Sequence, residues 1–300
     1  MRKILLVYKR STYSFYVSDP NHKDAVNLTD EDVIKLRQAH FTNEDSILLV
    51  ERAIAEANIE YKKVYRADIE DLHDCDLVVA VGGDGTFLEA AKYVTTQQVL
   101  GINSDLTNSY GNYCKFTIGT FKEFLSRYNY ATVFGKKYHR MKIWLDGELQ
   151  PFPAMNDIKI CHACPVGFTR YIMTTQENHN TTKQFSEEHG SSGMWVSTCA
   201  GSTGAIASHG HSTTYPDEKY LLYQTVGLNK LRKTDFKFES GSVDGMTTIR
   251  FTSKMREGKI YVDGRHAVLD FPFNSKLEVV CGDPIDFLDL DYKDNPYADK

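Results

Sequence analysis

Cysteine is scarce in this chain, long apolar runs are missing, and neither sign of charge dominates. Six cysteines (Cys75, Cys114, Cys161, Cys164, Cys199 and Cys281) are scattered through 300 residues, which is reduced-thiol usage and not a disulfide framework. No apolar stretch approaches the roughly 20 residues needed to cross a bilayer, so no membrane partner is expected. The formal net charge of −5 argues against a nucleic-acid partner. Low-complexity segments and internal repeats are absent. Met1 to Tyr8 enters a strand pattern directly, with neither the apolar core of a signal peptide nor an Arg/Ser-rich leader, and the chain reads as cytoplasmic.

What is present is ordinary globular material, with hydrophobic residues at 41% and charged residues at 25%, in a chain long enough for two domains with sizeable cores. Ile4–Tyr8 predicts a buried first strand. Polar and aromatic residues follow (Arg10–Tyr16, then Asp19-Pro20-Asn21). Thr29 with Asp32 predicts a helix start, and Thr42–Asp45 predicts a second one, followed by Ile47, Val50, Ile54 and Ala57 on one face. Glu60–Tyr65, Leu77–Val81 and Val99–Asn103 predict strands, and Phe87–Val94 a helix. This alternation gives an open, largely parallel, Rossmann-like α/β domain over residues 1–135, whose ligands should lie beyond the carboxyl ends of its strands.

From residue 136 the texture changes to short β-rich segments separated by Gly, Asn and Asp turns, among them Lys142–Leu145, Thr169–Met173, Gly193–Thr198, Thr247–Thr252, Lys259–Val262 and Leu277–Cys281. An all-β domain over 136–275 is expected, with 276–300 as a C-terminal segment packing back on the first domain. The polar run Gln176–Gly190 predicts a surface loop.

Four stretches carry chemistry. In the first, the strand Leu77–Val81 ends in Gly82-Gly83-Asp84-Gly85-Thr86 and runs straight into a helix. Glycines admit an anion to the backbone, and a helix start points N–H groups at it. The acid gains nothing by holding phosphates, and is better explained by work on the group that attacks them. A tight turn is the plainer reading of the string alone. The second is Ser191–Ala205, where a strand opens into Gly201-Ser202-Thr203, a turn rich in hydroxyls; a hairpin is the plain alternative. The third, Asn156-Asp157, suits a ribose diol or an amide, although such pairs are common turn residues. The fourth, Asp263-Gly264, reads by default as a hairpin turn. Cys161-His162-Ala163-Cys164 has zinc-like spacing but no second pair, so structural cysteines are favoured and no side chain is assigned to a metal. Lys92 reads as part of a solvated helix face, and His209-Gly210-His211 as a surface turn.

In this order and at these separations the four motifs resemble the NAD kinase family, and the likeness runs from Ile4 to about residue 285. The variant most similar is the mitochondrial-type branch: Arg10–Tyr16 and Leu28–Leu36 resemble its N-terminal insertion, Gly101-Ile102-Asn103-Ser104-Asp105 its Gly-Val-Asn-Thr-Asp, and Ser191-Ser192-Gly193 its Ser-Ser-Gly. Where common members carry Thr-Gly-Ser-Thr-Ala-Tyr this chain has Ala200-Gly201-Ser202-Thr203-Gly204-Ala205, and Asn-Glu becomes Asn156-Asp157. The resemblance implies transfer of the γ-phosphoryl group of ATP, or of polyphosphate, to the 2′-hydroxyl of the adenosine ribose of NAD or NADH, with Mg²⁺ or another divalent cation. It implies Asp84 as the base. Gly82, Gly83, Gly85, Thr86, Gly201, Ser202, Thr203 and Ser208 would face phosphate or nucleotide, and Asn103, Asp105, Asn156, Asp157, Ser192 and Asp263 the substrate. It also implies a homodimer or homotetramer. Lipid kinases of the diacylglycerol and sphingosine type share the glycine–acid loop, and a non-catalytic dinucleotide-binding protein is a third reading.

Overall fold

In the computed structural model, which describes residues 3–18, 28–72, 74–107, 110–128, 133–176, 184–231, 233–290 and 293–294, the chain forms β1 (Lys3–Tyr8), α1 (Thr12–Tyr16), α2 (Asp30–Glu56), β2 (Glu60–Tyr65), β3 (Leu77–Gly82), α3 (Asp84–Ala91), β4 (Gln98–Asn103) and α4 (Ile118–Arg127). Strands follow: β5 (Val133–Phe134), β6 (Lys136–Leu145), β7 (Glu148–Leu149), β8 (Asp157–His162), β9 (Thr169–Gln176), β10 (Gln184–Ser191), β11 (Gly193–Thr198) and β12 (Tyr220–Val226). The last are β13 (Ser240–Asp244), β14 (Ile249–Ser253), β15 (Gly258–Val262), β16 (Ala267–Asp270), β17 (Lys276–Phe287) and β18 (Lys293–Asp294). The chain divides into two compact units, Met1–Lys136 with Ile285–Lys300, and Lys137–Pro284. No helix among the described residues is long and apolar enough to cross a membrane.

In the first unit β4, β3, β1 and β2 lie side by side, all parallel. Asp286 and Phe287 extend the order beyond β4, also in parallel. β3 and β4 are buried along their whole length, as apolar runs at the middle of a parallel sheet must be, while β2 carries Glu60, Lys62 and Lys63 on an exposed edge. The order 2-1-3-4 reverses direction between β1 and β3. Crevices at the carboxyl ends of strands on either side of such a reversal are where open α/β sheets bind ligands.

The helix starts show where local signals compete. Thr29 and Asp32 form a capping box for α2. The second start expected at Thr42–Asp45 does not occur. α2 runs through it unbroken, because the Thr42 hydroxyl donates back to the Gln38 carbonyl at 3.0 Å inside the helix instead of capping a new one. Ile47, Val50, Ala53 and Ile54 then bury the inner face. α3 begins at Asp84 and not at Phe87, with Gly83 as its N-cap. Lys92 is not solvated: its side chain is 9% exposed and its Nζ reaches Glu89 at 2.9 Å.

The second unit holds a six-stranded antiparallel sheet in the order β13-β12-β11-β8-β15-β16, and a second layer that includes β10, β9, β14 and β17. Ile158, Ile160, Met194 and Val196 from the first pack with Tyr171, Met173, Ile249 and Phe251 from the second in one core. Residues 276–279 pair with β14, and the chain leaves this unit at Pro284. The polar run read as a loop is largely a strand: Gln184–Ser191 pairs with Thr169–Gln176. Its polar residues find partners inside the fold. Glu187 accepts from Lys233 Nζ at 2.8 Å and from the Lys237 and Phe238 N–H groups at 2.9 Å. Asp19-Pro20-Asn21 and residues 177–183 lie outside the described residues.

Candidate functional site

In the first unit the site grows from the end of β3. Gly82 is required for space, since a Cβ there would collide with the Thr86 hydroxyl and come within 3.4 Å of Lys9 Cδ. Asp84 opens α3, where its charge complements the positive end of the helix. The half-buried Asp84 carboxylate reaches across to a segment 28 positions away: Oδ2 accepts the Asn112 N–H at 2.9 Å and Oδ1 the Tyr113 N–H at 2.8 Å. Charge-assisted bonds of this kind contribute about 1.5–3 kcal/mol each. The Tyr113 ring stacks on Phe87 with centroids 4.8 Å apart, which ties the same segment to α3. A side chain at Gly101 would meet Cys114 Cα at 2.9 Å, so a glycine in β4 lets that segment lie close.

The four backbone donors expected around the loop are not equivalent. The Thr86 N–H is taken by the Gly83 carbonyl at 2.8 Å. The Thr86 hydroxyl, by contrast, is buried with no hydrogen-bond partner among the described residues. A buried orphan of this kind is costly unless a ligand completes it.

Asn103 ends β4 and Asp105 follows it, and both are buried. Asn103 Oδ1 accepts the Asp105 N–H at 3.0 Å, and Asp105 Oδ1 the Thr107 N–H at 3.1 Å. Asn43, on α2, bridges two strand ends: its Nδ2 donates to the Lys9 carbonyl at 3.3 Å, and its Oδ1 accepts from Ser104 Oγ at 2.9 Å. Lys9 and Arg66 complete the surroundings. Burial lowers the pKa of Lys9, with Asp105 opposing that shift and Arg66 adding to it. Burial also pushes the Cys114 thiol far up, with Asp84 adding to the effect, so the thiol stays neutral. Sequence reasoning overlooked Asn43, Lys9 and Arg66. A basic residue directly after β1 was the one visible signal, since that position is a strand's carboxyl end.

In the second unit Asn156 and Asp157 open β8, and the tip of the β15–β16 hairpin holds them. Asp263 has φ +46° and Gly264 φ +107°, both left-handed, as a tight hairpin requires. Asp263 Oδ2 accepts the Met155 N–H at 2.7 Å, and Oδ1 accepts the N–H groups of Asn156 at 2.7 Å and Asp157 at 3.1 Å. Asp263 thus holds the start of β8 through three backbone donors. Burial first, and the Asp263 charge second, push the Asp157 pKa up to about 7.

The turn after β11 packs on the same strand start. Ser197 Oγ donates to the Asn156 carbonyl at 3.0 Å, and Thr198 Oγ1 donates to the Met155 carbonyl at 2.6 Å. A Cβ at Gly201 would strike the Asn156 carbonyl, and one at Gly204 would lie 3.6 Å from Asp157 Oδ2. Ser202 is buried, with its hydroxyl accepting the Thr214 N–H at 3.1 Å, whereas Thr203 and Ser208 are exposed. The structure therefore gathers Asn156, Asp157, Gly201 and Asp263, with Thr203 two residues on in the same turn. Ser192 is not among them. It precedes β11 and pairs with Val226 at the far end of that strand, about 20 Å from the turn at 3.3 Å per residue.

Residues 3–132 match the family model of the ATP-NAD kinase N-terminal domain. A probable NADH kinase from Oryza sativa subsp. japonica is 29% identical over 264 residues, covering 81% of this chain and 80% of that protein. An NADH kinase from Arabidopsis thaliana is 28% identical over 56% of this chain and 58% of its own, and an NAD kinase from Rhodococcus jostii is 27% identical over 75% and 68%. Among solved structures, the crystal structure of an NAD kinase from Archaeoglobus fulgidus in complex with ATP has a similar fold, with a TM-score of 0.65 at 17% identity over 96% of this chain and 94% of that one. Family model, curated relatives and fold agree in making this chain similar to the NAD kinases.

Proposed function

We propose that this chain is an NAD(H) kinase that transfers the γ-phosphoryl group of ATP, or of polyphosphate, to the 2′-hydroxyl of the adenosine ribose of NAD or NADH. The observation that carries this reading is Asp84: a half-exposed carboxylate in a glycine turn, at a helix start, beside the strand reversal of a family-matched domain. A carboxylate has about four acceptor sites, so two backbone N–H bonds leave room for a substrate hydroxyl. In this role Asp84 takes the hydroxyl proton as the oxygen attacks phosphorus. Gly82, Gly83 and Gly85 offer close backbone approach to phosphate oxygens, and Thr86 contributes its buried hydroxyl in place of its N–H.

Asn156, Asp157, Gly201 and Thr203 hold the dinucleotide in this reading, with Asp263 positioning the first two through their backbone. The domain roles follow: residues 1–135 take the phosphates and 136–275 the dinucleotide. No group of three metal-ligating side chains occurs among the described residues. Mg²⁺ or another divalent cation would arrive with the nucleotide phosphates, with Asp84 as the nearby carboxylate able to hold it, and would supply neutralising charge. A homodimer or homotetramer working in the cytoplasm belongs to the same reading, and sedimentation would test the assembly.

The deciding assay is purified protein with Mg²⁺–ATP or Mg²⁺–polyphosphate and each of NAD, NADH and diacylglycerol. The two plant relatives are named NADH kinases, which makes NADH the acceptor to compare with NAD. NADP or NADPH formation is expected. Phosphatidate formation would move the chain to the lipid kinases, and NAD binding without turnover would make it a non-catalytic binder.

A further inference from the structure

Three neighbouring strands each deliver a group to one place. Lys9 follows β1, Arg66 follows β2, and the Gly82–Thr86 turn follows β3. Lys9 Cδ lies 3.4 Å from the position a Cβ would take on Gly82, and Arg66 Nη1 lies 3.5 Å from that position on Gly85. The two cations therefore flank the turn, close enough that the Arg66 charge lowers the pKa of Lys9. Neither makes an ion pair, nor a side-chain hydrogen bond, among the described residues. Asp105 is the one acid whose charge reaches Lys9, and the Cys114 thiol is neutral. Lys9 and Arg66, the carboxylates of Asp84 and Asp105, and a buried orphan hydroxyl on Thr86 therefore share the turn. The two cations without an ion pair and the orphan hydroxyl are donors that an anion at the turn would complete.

We propose that Lys9 and Arg66 form a cation clamp for the polyphosphate chain of the donor, a nucleoside triphosphate or an inorganic polyphosphate, held against the Gly82–Thr86 turn. The clamp supplies the positive charge that P-loop proteins take from a lysine inside the loop. It rests on reading the turn as the phosphate site of a phosphotransferase. Lys9 would grip as a point charge, whereas the Arg66 guanidinium offers a bidentate fork to phosphate oxygens.

The test uses the full chain with Lys9→Met, Arg66→Gln, the double substitution, and Lys9→Arg as the charge-preserving control. Calorimetry with inorganic tripolyphosphate and with Mg²⁺–ATP reads binding, steady-state kinetics reads the KM of donor and acceptor separately, and thermal unfolding reads the fold. Each single loss of charge is expected to weaken tripolyphosphate binding and raise the ATP KM at least tenfold, with the NAD KM within twofold. Lys9→Arg should stay within threefold of the wild type. Lys9→Met should unfold at no lower temperature, because it removes a half-buried charge that has no ion-pair partner. Equal responses to tripolyphosphate and ATP mark a phosphate site, and a loss confined to ATP marks a nucleotide site that Lys9 and Arg66 do not clamp.

Unchanged donor binding in Lys9→Met and Arg66→Gln overturns the clamp and leaves the kinase reading standing. So does a fall in unfolding temperature with an unchanged ATP KM, which would make Lys9 the structural counter-ion of Asp105. Clamp-dependent triphosphate binding in a chain that makes no NADP upholds the clamp and sinks the NAD kinase reading. A wild-type chain that binds no triphosphate overturns the clamp outright.

Discussion

Asp84 in the first unit and Asp263 in the second both grip backbone N–H groups of a distant segment, yet their surroundings point to different duties. Asp84 holds two donors, stands half-exposed at a helix start, and has Lys9 and Arg66 around its turn. Asp263 holds three donors from a left-handed hairpin position, and its charged neighbour is another acid, Asp157. A backbone grip alone does not tell a catalytic carboxylate from a positioning one. The sign of the neighbouring charge does: cations around Asp84 suit a site for anions, while burial and the Asp263 charge push up the pKa of Asp157.

The largest expected effect is on turnover. Asp84→Asn should lower kcat for NADP formation by about 10²–10⁴, the usual contribution of a general base, with acceptor KM little changed. The asparagine can still accept one of the two N–H bonds, so far-UV circular dichroism should match the wild type. Full turnover in that variant would place Asp84 with Asp263 as a positioning residue and erase the contrast between the two units.

Asp263→Ala should act mainly on stability. Three charge-assisted bonds to 155–157 go at once, and we expect a loss of about 2–4 kcal/mol, less than the sum because the segment can relax. NAD affinity should fall with it, through the loosened Asn156-Asp157 pair. A variant as stable as the wild type that loses turnover 10²-fold would show Asp263 touching the reaction instead of holding its neighbours.

The acid pair also makes a prediction about pH. Asp157 has a folded pKa raised to about 7, against about 3.9 for an unperturbed aspartate. Between those values the folded chain keeps a proton that the unfolded chain has released, so this group makes stability fall as pH rises from about 4 to 7, with no further change above. Asp157→Asn removes that slope. The difference in unfolding temperature between variant and wild type should therefore grow in the variant's favour from pH 4 to 7. A flat difference would mean that Asp157 is ionised throughout.

How much of this was legible in the sequence depends on the reach of each interaction. The step from Leu77–Val81 through Gly82–Thr86 into a helix is local, and a five-residue apolar run followed by glycines specifies it; only the start of α3 moved, to Asp84. The change at residue 136 from alternating strands and helices to short strands was equally readable. What escaped notice depends on pairing at a distance. The polar strand Gln184–Ser191 is stable because Glu187 meets donors around residues 233–238, and Asp263 meets Met155 across 108 positions. Thr42 looks like a cap in isolation, and only the helix built around it makes its hydroxyl an internal donor. Lys9 and Arg66 belong to different strands, and parallel pairing alone brings their ends together.

The smallest effect should come from Gly85, whose contrast with Gly201 also separates the two regions. At Gly201 there is no room: a methyl group would strike the Asn156 carbonyl and lie 2.6 Å from Ser197 Oγ, so Gly201→Ala should dismantle the turn. Gly85 is exposed, and the nearest obstacle to a methyl group is Arg66 Nη1 at 3.5 Å, the far end of a flexible side chain. Alanine also suits the helix better than glycine by up to about 1 kcal/mol, less in a first turn. Gly85→Ala should therefore unfold at an equal or slightly higher temperature while the ATP KM rises by less than tenfold. The methyl displaces part of the space phosphate oxygens would use but leaves Asp84 and the Thr86 hydroxyl where they are. If Gly85→Ala instead lowers turnover as far as Asp84→Asn with its unfolding temperature unchanged, phosphate comes within van der Waals contact of Cα at residue 85. The first site would then be as tight around its ligand as the second is around its own backbone.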